Sequence, residues 1–414
     1  MTTVHQLVPS VVPGDATTAH TLQVQGVLRD LGFESEIYAT AVHHALEGRV
    51  RLLHELRGPS RRDGFLLYQL SAHSPLADWL IGRLEAVGVN YHNVTPSSFF
   101  RRWDRGATLA QRAAEVQVAQ LGRVASIGVC DSAFNARDLH AKGWAPTATP
   151  VAPVLVDLAS FDTEPDPATA AALARRDGAG HGTRWLFVGA LAPHKAQHHL
   201  VRALALYRRV YDPAARLTLV GRPVVPAYDQ AVRRYVAALG LEGAVELTGP
   251  VDHAQLVAHY QAADVLVSAS AHEGFCVPLL EALHHGLPVV ALAAGAVPAT
   301  LGGAGVLVDT PAAPVLAAAV ARVWADHDLR AALGRVARQR LDALSLERTR
   351  RRMADVLGRW VASGGQWHAP EGAGAGSGDG DVGGALDGIV DETATAADGV
   401  VTGSAARPRR GARA

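Results

Sequence analysis

Short apolar runs rich in β-branched residues alternate with helix-period stretches along most of this chain. In the first half, Val4–Val8, Ser35–Ala39, Phe65–Leu70, Val89–Val94, Val124–Cys130 and Thr147–Val156 predict strands. Ala19–Leu31 and Leu76–Val87 predict helices between them. In the first of these, Leu22, Val24, Val27, Leu28 and Leu31 recur at near-helical spacing and Gly32 supplies the stop. The second half repeats the alternation. Trp185–Val188, Leu217–Val220, Val245–Leu247, Val265–Ser268, Pro288–Leu292 and Val306–Val308 read as strands, with His198–Val210 and Tyr228–Leu239 among the helices. Such alternation predicts parallel sheets covered on both faces, and two sets joined near Asp157–Arg184 predict two doubly wound α/β domains. The expected division is 1–160, 161–345, a closing helix over 346–362 and a tail over 363–414. Asp166-Pro167 and Gly178–Gly182 suit a hinge between the domains. The Gly-, Ala- and Asp-rich tail has too few bulky apolar residues to offset the entropy of ordering, so it is expected to be disordered.

Composition narrows the classes. An apolar fraction of 49% in 414 residues supports a sizeable core. Lys+Arg and Asp+Glu both number 39, a balance that gives no footing for a nucleic-acid partner. Cys130 and Cys276 are too few for a disulfide scaffold or a Cys-based zinc site, and they fit reduced cytoplasmic thiols. Met1–Pro9 shows no secretory pattern, and Leu287–Val308 is broken by glycines and prolines before it could span a bilayer. The chain therefore reads as cytoplasmic. A peripheral contact with the inner face of the membrane stays open, because Phe99-Phe100-Arg101-Arg102-Trp103 and Arg49, Arg51, Arg57, Arg61 and Arg62 could meet headgroups. The same residues also fit ordinary helix faces and loops. Asp379-Gly380-Asp381 in the tail reads as a chance acidic pair rather than a metal site.

Three stretches carry candidate chemistry. Ala271-His272-Glu273-Gly274-Phe275-Cys276-Val277-Pro278-Leu279-Leu280-Glu281-Ala282 follows a predicted strand, at the edge where open α/β sheets bind ligands. Pro278 suits a first helical turn, so the amides of Gly274, Phe275, Cys276 and Val277 would point free N–H groups at a phosphate or sugar oxygen. Glu273 in the loop and Glu281 one turn into the helix could reach different hydroxyls of one ligand. A helix whose start is merely acidic fits them equally well. In the second stretch, an apolar strand runs into Gly189 and a short loop ending at Lys195. Only Lys142 and Lys195 are lysines among the 39 basic residues, so a loop lysine here suggests a point charge for a diphosphate rather than a solvated surface group. The third, Pro13-Gly14-Asp15, follows the first strand, where a glycine would let backbone approach a ligand, or simply make a turn. No Gly-x-Gly-x-x-Gly follows the first strand, which argues against a dinucleotide-dependent oxidoreductase.

These stretches resemble family 4 (group 1) retaining glycosyltransferases of bacterial type. The resemblance rests on the Glu273…Glu281 pair, Phe187-Val188-Gly189…Pro193-His194-Lys195, Gly286-Leu287-Pro288-Val289-Val290-Ala291 and Gly302-Gly303-Ala304-Gly305-Val306-Leu307-Val308-Asp309, in order. It is strong over roughly Trp185–Leu341 and weaker at Tyr91-His92-Asn93-Val94-Thr95-Pro96 and Asp131-Ser132-Ala133-Phe134-Asn135. It implies a GT-B fold: two Rossmann-like domains facing across a cleft, the first on the acceptor side and the second holding a nucleotide-sugar donor. It implies a glycan or glycolipid acceptor, retention at the anomeric carbon, and no cofactor or metal. On that resemblance Lys195 binds the diphosphate and Glu281 the ribose hydroxyls. Glu273 faces the transferred sugar, and Gly14 lies near the phosphates. The family commonly has Arg where this chain has Ala190, and Glu where it has Ala299. Arg222, directly after Gly221, is the candidate to replace the missing cation. His73 and His92, each after a predicted strand, are the candidates for the family's first-domain histidine, and among 19 histidines a solvated or core role is the default for either. A catalytically degenerate binding subunit is the alternative reading.

Overall fold

A computed structural model of the protein describes residues 2–56, 64–177 and 182–369. Gly178 and Gly180 of the expected hinge, Arg57, Arg61, Arg62 and residues 370–414 lie outside the described residues.

Among the described residues the strands form two six-stranded parallel sheets. The first contains β1 (Val4–Val11), β2 (Ile37–Val42), β3 (Arg51–Leu52), β4 (Phe65–Leu70), β5 (Ala86–Tyr91) and β6 (Ala125–Cys130), ordered β3-β2-β1-β4-β5-β6. The second contains β7 (Arg184–Val188), β8 (Arg216–Val220), β9 (Val245–Gly249), β10 (Val265–Ser268), β11 (Val289–Leu292) and β12 (Val306–Val308), ordered β12-β11-β10-β7-β8-β9. Both follow the Rossmann order, which reverses direction between β1 and β4 and between β7 and β10. Strands β4, β10 and β11 are buried at every residue, as a parallel sheet covered on both faces requires.

On one face of the first sheet, Leu7, Tyr68, Leu70, Val89 and Tyr91 pack with Leu80, Val118 and Leu121. On the other, Val4, Leu67, Ile127 and Val129 pack with Val24 and Leu28, and with Met353, Val356, Leu357 and Trp360 of the helix Leu346–Ala362. That last helix is fixed by specific contacts. Trp360 donates from Nε1 to Ser126 Oγ at 2.9 Å and meets Phe65 edge-on, with ring centroids 5.3 Å apart. Arg350 donates to Gln23 Oε1 and Asp30 Oδ2. A Cβ at Gly88 would stand 2.9 Å from the Trp360 ring, so glycine makes the room for it.

Several boundaries differ from the sequence-based expectation. Pro75–Ile81 is a seven-residue helix, shorter than Leu76–Val87, because β5 already begins at Ala86. Consequently β5 ends at Tyr91 rather than Val94. Thr147–Val156 is not a strand; a 3-10 turn at Pro146–Ala148 leads into an extended segment with one bridge, Cys130 to Val151. The aromatic residues proposed to meet a membrane are otherwise engaged. Phe100 is buried in the second domain's core beside Trp185 and Phe187, with Phe99 and Trp103 packed against that core. Trp103 meets Tyr228 edge-on at 5.0 Å, and only Arg101 and Arg102 of the segment are exposed. No helix among the described residues is long and apolar enough to cross a membrane.

Candidate active site

Two loops leave the carboxyl edge of the second sheet on either side of its switch point. One runs from β7 through Gly189 and Ala190 to Lys195; the other runs from β10 through Glu273 to the helix Val277–His284. They converge. Lys195 Nζ donates to Glu273 Oε1 at 2.7 Å and Oε2 at 2.8 Å. The side chains are 20% and 7% exposed, so this pair stands largely out of water. Burial pulls the Lys195 ammonium down, but the Glu273 carboxylate beside it outweighs burial and holds it above its ordinary range. The Ala271 amide donates to the His194 carbonyl at 2.8 Å, joining the two loops through backbone.

The Glu273 backbone is held equally closely. The Ala296 amide donates to its carbonyl at 3.0 Å. Gly295 (φ +61°) runs so near that a Cβ there would lie 2.4 Å from the same oxygen. Cys276 takes φ +72°, an uncommon conformation for a non-glycine residue, directly before the helix. Thr300 Oγ1 donates to the Phe275 carbonyl at 2.5 Å and supports that turn. Among the described residues the amides of Gly274, Phe275, Cys276 and Val277 donate to no protein acceptor. They form the donor array expected at a helix start.

Glu281 lies on that helix, and its Oε2 accepts from the Tyr260 hydroxyl at 2.6 Å. Burial raises the Glu281 carboxyl to about 7, while the Tyr260 hydrogen bond opposes the rise. Gly189 ends β7, with its amide on the Val220 carbonyl at 2.9 Å. The Arg222 carbonyl accepts from the Leu191 amide at 2.9 Å, so the Arg222 loop runs beside the loop carrying Ala190. The Arg222 residue is exposed and its guanidinium has no partner among the described residues. Gly14 is exposed at φ +77°, in the turn before the helix Ala16–Asp30, which is capped by Asp15. Among the described residues no hydrogen bond joins Gly14 to Lys195 or Glu273.

The first domain reaches the same place through the ends of β5 and β6. Ser132 Oγ donates to the Gly274 carbonyl at 2.8 Å, and His272 Nε2 lies 2.7 Å from Asn93 Oδ1. Asn93 itself takes φ +74° and donates to Asn135 Oδ1 at 2.9 Å. A Cβ at Gly274 would stand 2.8 Å from Asn93 Cβ and 3.0 Å from the His92 carbonyl, so glycine permits the close approach. Burial lowers both His272 and His194, leaving them neutral at ordinary pH. None of these cross-domain contacts is deducible from spacing. The one hint was an Asn just after a strand, a residue type that tolerates a left-handed turn.

Of the two candidate histidines, His73 is exposed, whereas His92 enters a buried polar chain. Its Nδ1 lies 2.8 Å from Asp131 Oδ2 and its Nε2 lies 2.7 Å from Gln69 Oε1. Gln69 in turn donates to Gln6, and Gln6 to the Thr21 carbonyl. His20 joins at Asn90, and burial lowers its pKa to about 4. His20, His92 and Asp131 are the one group with metal-ligand spacing among the described residues. Their ring nitrogens already face protein partners, which a metal would have to displace.

Two Rossmann-order sheets whose carboxyl edges meet at this loop make the GT-B architecture. Residues 180–340 match the family model of glycosyl transferases group 1. The chain is 36% identical over 229 residues to D-inositol 3-phosphate glycosyltransferase of Salinispora arenicola, covering 53% of this chain and 51% of the relative. It is 33% identical over 184 residues to the GDP-mannose-dependent alpha-(1-6)-phosphatidylinositol monomannoside mannosyltransferase of Mycobacterium tuberculosis, covering 42% and 47%. The matched stretches thus span about half the length of these relatives. The fold resembles Anabaena HepE in complex with UDP-glucose (TM-score 0.67, 18% identity, 86% of this chain and 100% of that one). It also resembles sucrose-phosphate synthase of Thermosynechococcus elongatus (TM-score 0.68, 21% identity, 87% and 100%).

Proposed function

We propose that this chain is a retaining glycosyltransferase that moves a hexosyl group from a nucleotide-diphosphate sugar to a glycan or glycolipid acceptor. The observation that carries the proposal is the Lys195–Glu273 pair, set beside the unpaired amides of Gly274–Val277 at the second sheet's switch point. Charge develops on the diphosphate as the sugar leaves, and a preorganised ammonium with fixed N–H dipoles stabilises it without a metal. In this reading Lys195 takes the diphosphate, the amides take phosphate or sugar oxygens, Glu273 faces the transferred sugar and Glu281 takes the ribose. Gly189 and Gly14 line the approach, and Arg222 adds a second cation. His92 is the first-domain histidine nearest the reaction, because its carbonyl packs against Gly274.

A panel of nucleoside diphosphates and nucleotide sugars, read by thermal shift, tests donor binding. A donor at 100 times its Kd should stabilise the fold by about 2.7 kcal/mol. Transfer is then measured with the best donor, with and without EDTA. Inositol-bearing acceptors head the panel because the sequence relatives are named for them. The proposal predicts EDTA-resistant turnover that Glu273→Ala abolishes; absence of any nucleotide-dependent shift would overturn it. Binding without turnover would favour the degenerate reading, which Ala190 and Ala299 support. A cytoplasmic site with peripheral contact at the inner membrane face belongs to the same proposal. Exposed Arg101, Arg102, Arg105 and Arg112, beside exposed Leu109 and Val116, suit anionic headgroups. Sedimentation with phosphatidylglycerol vesicles, but not with phosphatidylcholine vesicles, is the expected result.

A further inference from the structure

Tyr260, on the helix His253–Ala262, is fully buried. Its ring stacks on His285 at 5.1 Å and meets Phe161 edge-on at 6.1 Å, inside a cluster of Leu279, Leu280, Leu283 and Val257. Among the described residues its hydroxyl has one hydrogen-bond partner, Glu281 Oε2, at 2.6 Å. Glu281 Oε1 has no partner there. A phenol in apolar surroundings has no reason to be a phenol except for that bond.

We infer that Tyr260 is a positioning residue for nucleotide recognition: by holding one oxygen of Glu281, it presents the other to the vicinal diol of a ribose. The inference rests on the ribose-binding reading of Glu281 given above. A free glutamate side chain loses rotamer entropy when a ligand orders it. The tyrosine removes much of that loss beforehand. The bond has a second effect. Burial alone would carry the Glu281 carboxyl further above neutrality, and the phenol O–H stabilises the ionised form that accepts from two hydroxyls. The other titratable groups around the pair are His253 on the Tyr260 helix, His285 at the end of the Glu281 helix, and Cys276 before it. Cys276 in turn neighbours Glu273 and Lys195.

The role separates from simple packing by experiment. UDP and GDP, each paired with its 2′,3′-dideoxy form, are titrated calorimetrically into the wild type, Tyr260→Phe, Glu281→Ala and the double variant. The wild type should prefer the ribose form by about tenfold or more. Glu281→Ala should bring the two forms within about twofold, and Tyr260→Phe within about threefold at pH 7. The double variant should lose no more than Glu281→Ala alone, since both changes act on one interaction. In the wild type the preference should grow as pH rises through about 7. In Tyr260→Phe that rise should move to higher pH, and 3,5-difluorotyrosine at position 260, a stronger donor, should move it lower. The fluorinated protein keeps the test open even if the Phe variant does not fold. A full preference and an unmoved pH profile in these variants, with the preference lost in Glu281→Ala, would overturn the positioning role. Preference retained in Glu281→Ala would instead overturn the ribose reading beneath it.

Discussion

Lys195 and Glu273 hold each other: one ammonium lies within 2.8 Å of both oxygens of one carboxylate. Under the proposed function they serve different parts of one donor, the diphosphate and the sugar. Donor binding must then exchange this internal pair for two ligand contacts, and each residue serves as the other's stand-in until the ligand arrives. Lys195→Ala should weaken nucleoside diphosphate binding by about 10- to 100-fold, the loss expected for a charge-assisted contact. It should also lower stability, because it strands a buried carboxylate. Glu273→Gln should leave nucleoside diphosphate affinity within about threefold while transfer falls by about 100-fold or more. Calorimetry and turnover assays on the same preparations separate these outcomes.

Gly274→Ala inserts a methyl group 2.8 Å from Asn93 Cβ. The expected response is a small parting of the two domains and a fall in kcat of about tenfold or more, since positioning across the gap is lost. Affinity for the nucleoside diphosphate alone should change little. Small-angle scattering and steady-state kinetics report both.

Arg222→Ala should weaken donor binding about as much as Lys195→Ala. Among the described residues the guanidinium has no partner, and its backbone runs beside the Ala190 loop. A donor affinity equal to wild type would reject the substitution of one cation for the other.

Glu281 makes stability depend on pH in an unusual direction for an acid. Its folded carboxyl titrates at about 7, above the ordinary value of 4.5, so the native state binds more protons between those values. Its contribution is therefore fully present below pH 4.5 and lost as pH rises through about 7. Glu281→Gln, a permanent mimic of the protonated form, should be more stable than wild type at pH 8 by on the order of 2 kcal/mol. At pH 4.5 the two should differ little. Ribose discrimination should fall in the same variant. Urea melts at the two pH values check the sign.

Much of the architecture was legible because strands of these parallel sheets read as short, mostly apolar runs. Phe65–Leu70, Val265–Ser268 and Val306–Val308 match the observed strands residue for residue. Weak patterns failed where structure is irregular. Val151 makes one bridge rather than a strand, and β3 is two residues long with no periodicity to detect. In the candidate site, Lys195 and Glu273 were found through their place after strands and the scarcity of lysine. Tyr260 was not, because an apolar helix face conceals which phenol carries a hydrogen bond. Phe99, Phe100 and Trp103 looked like membrane anchors because composition cannot distinguish a lipid surface from a neighbouring domain's core.

Trp360 belongs to the last described helix, yet it fills the space over Gly88 in the first sheet. As the chain leaves the ribosome, strands β1 to β6 emerge with one face only partly covered, by the helix Ala16–Asp30. They must wait for some 200 further residues, the whole second lobe included, before that indole arrives. The early lobe would then spend its synthesis as an incompletely buried intermediate, and completion of the late helix would close both lobes together.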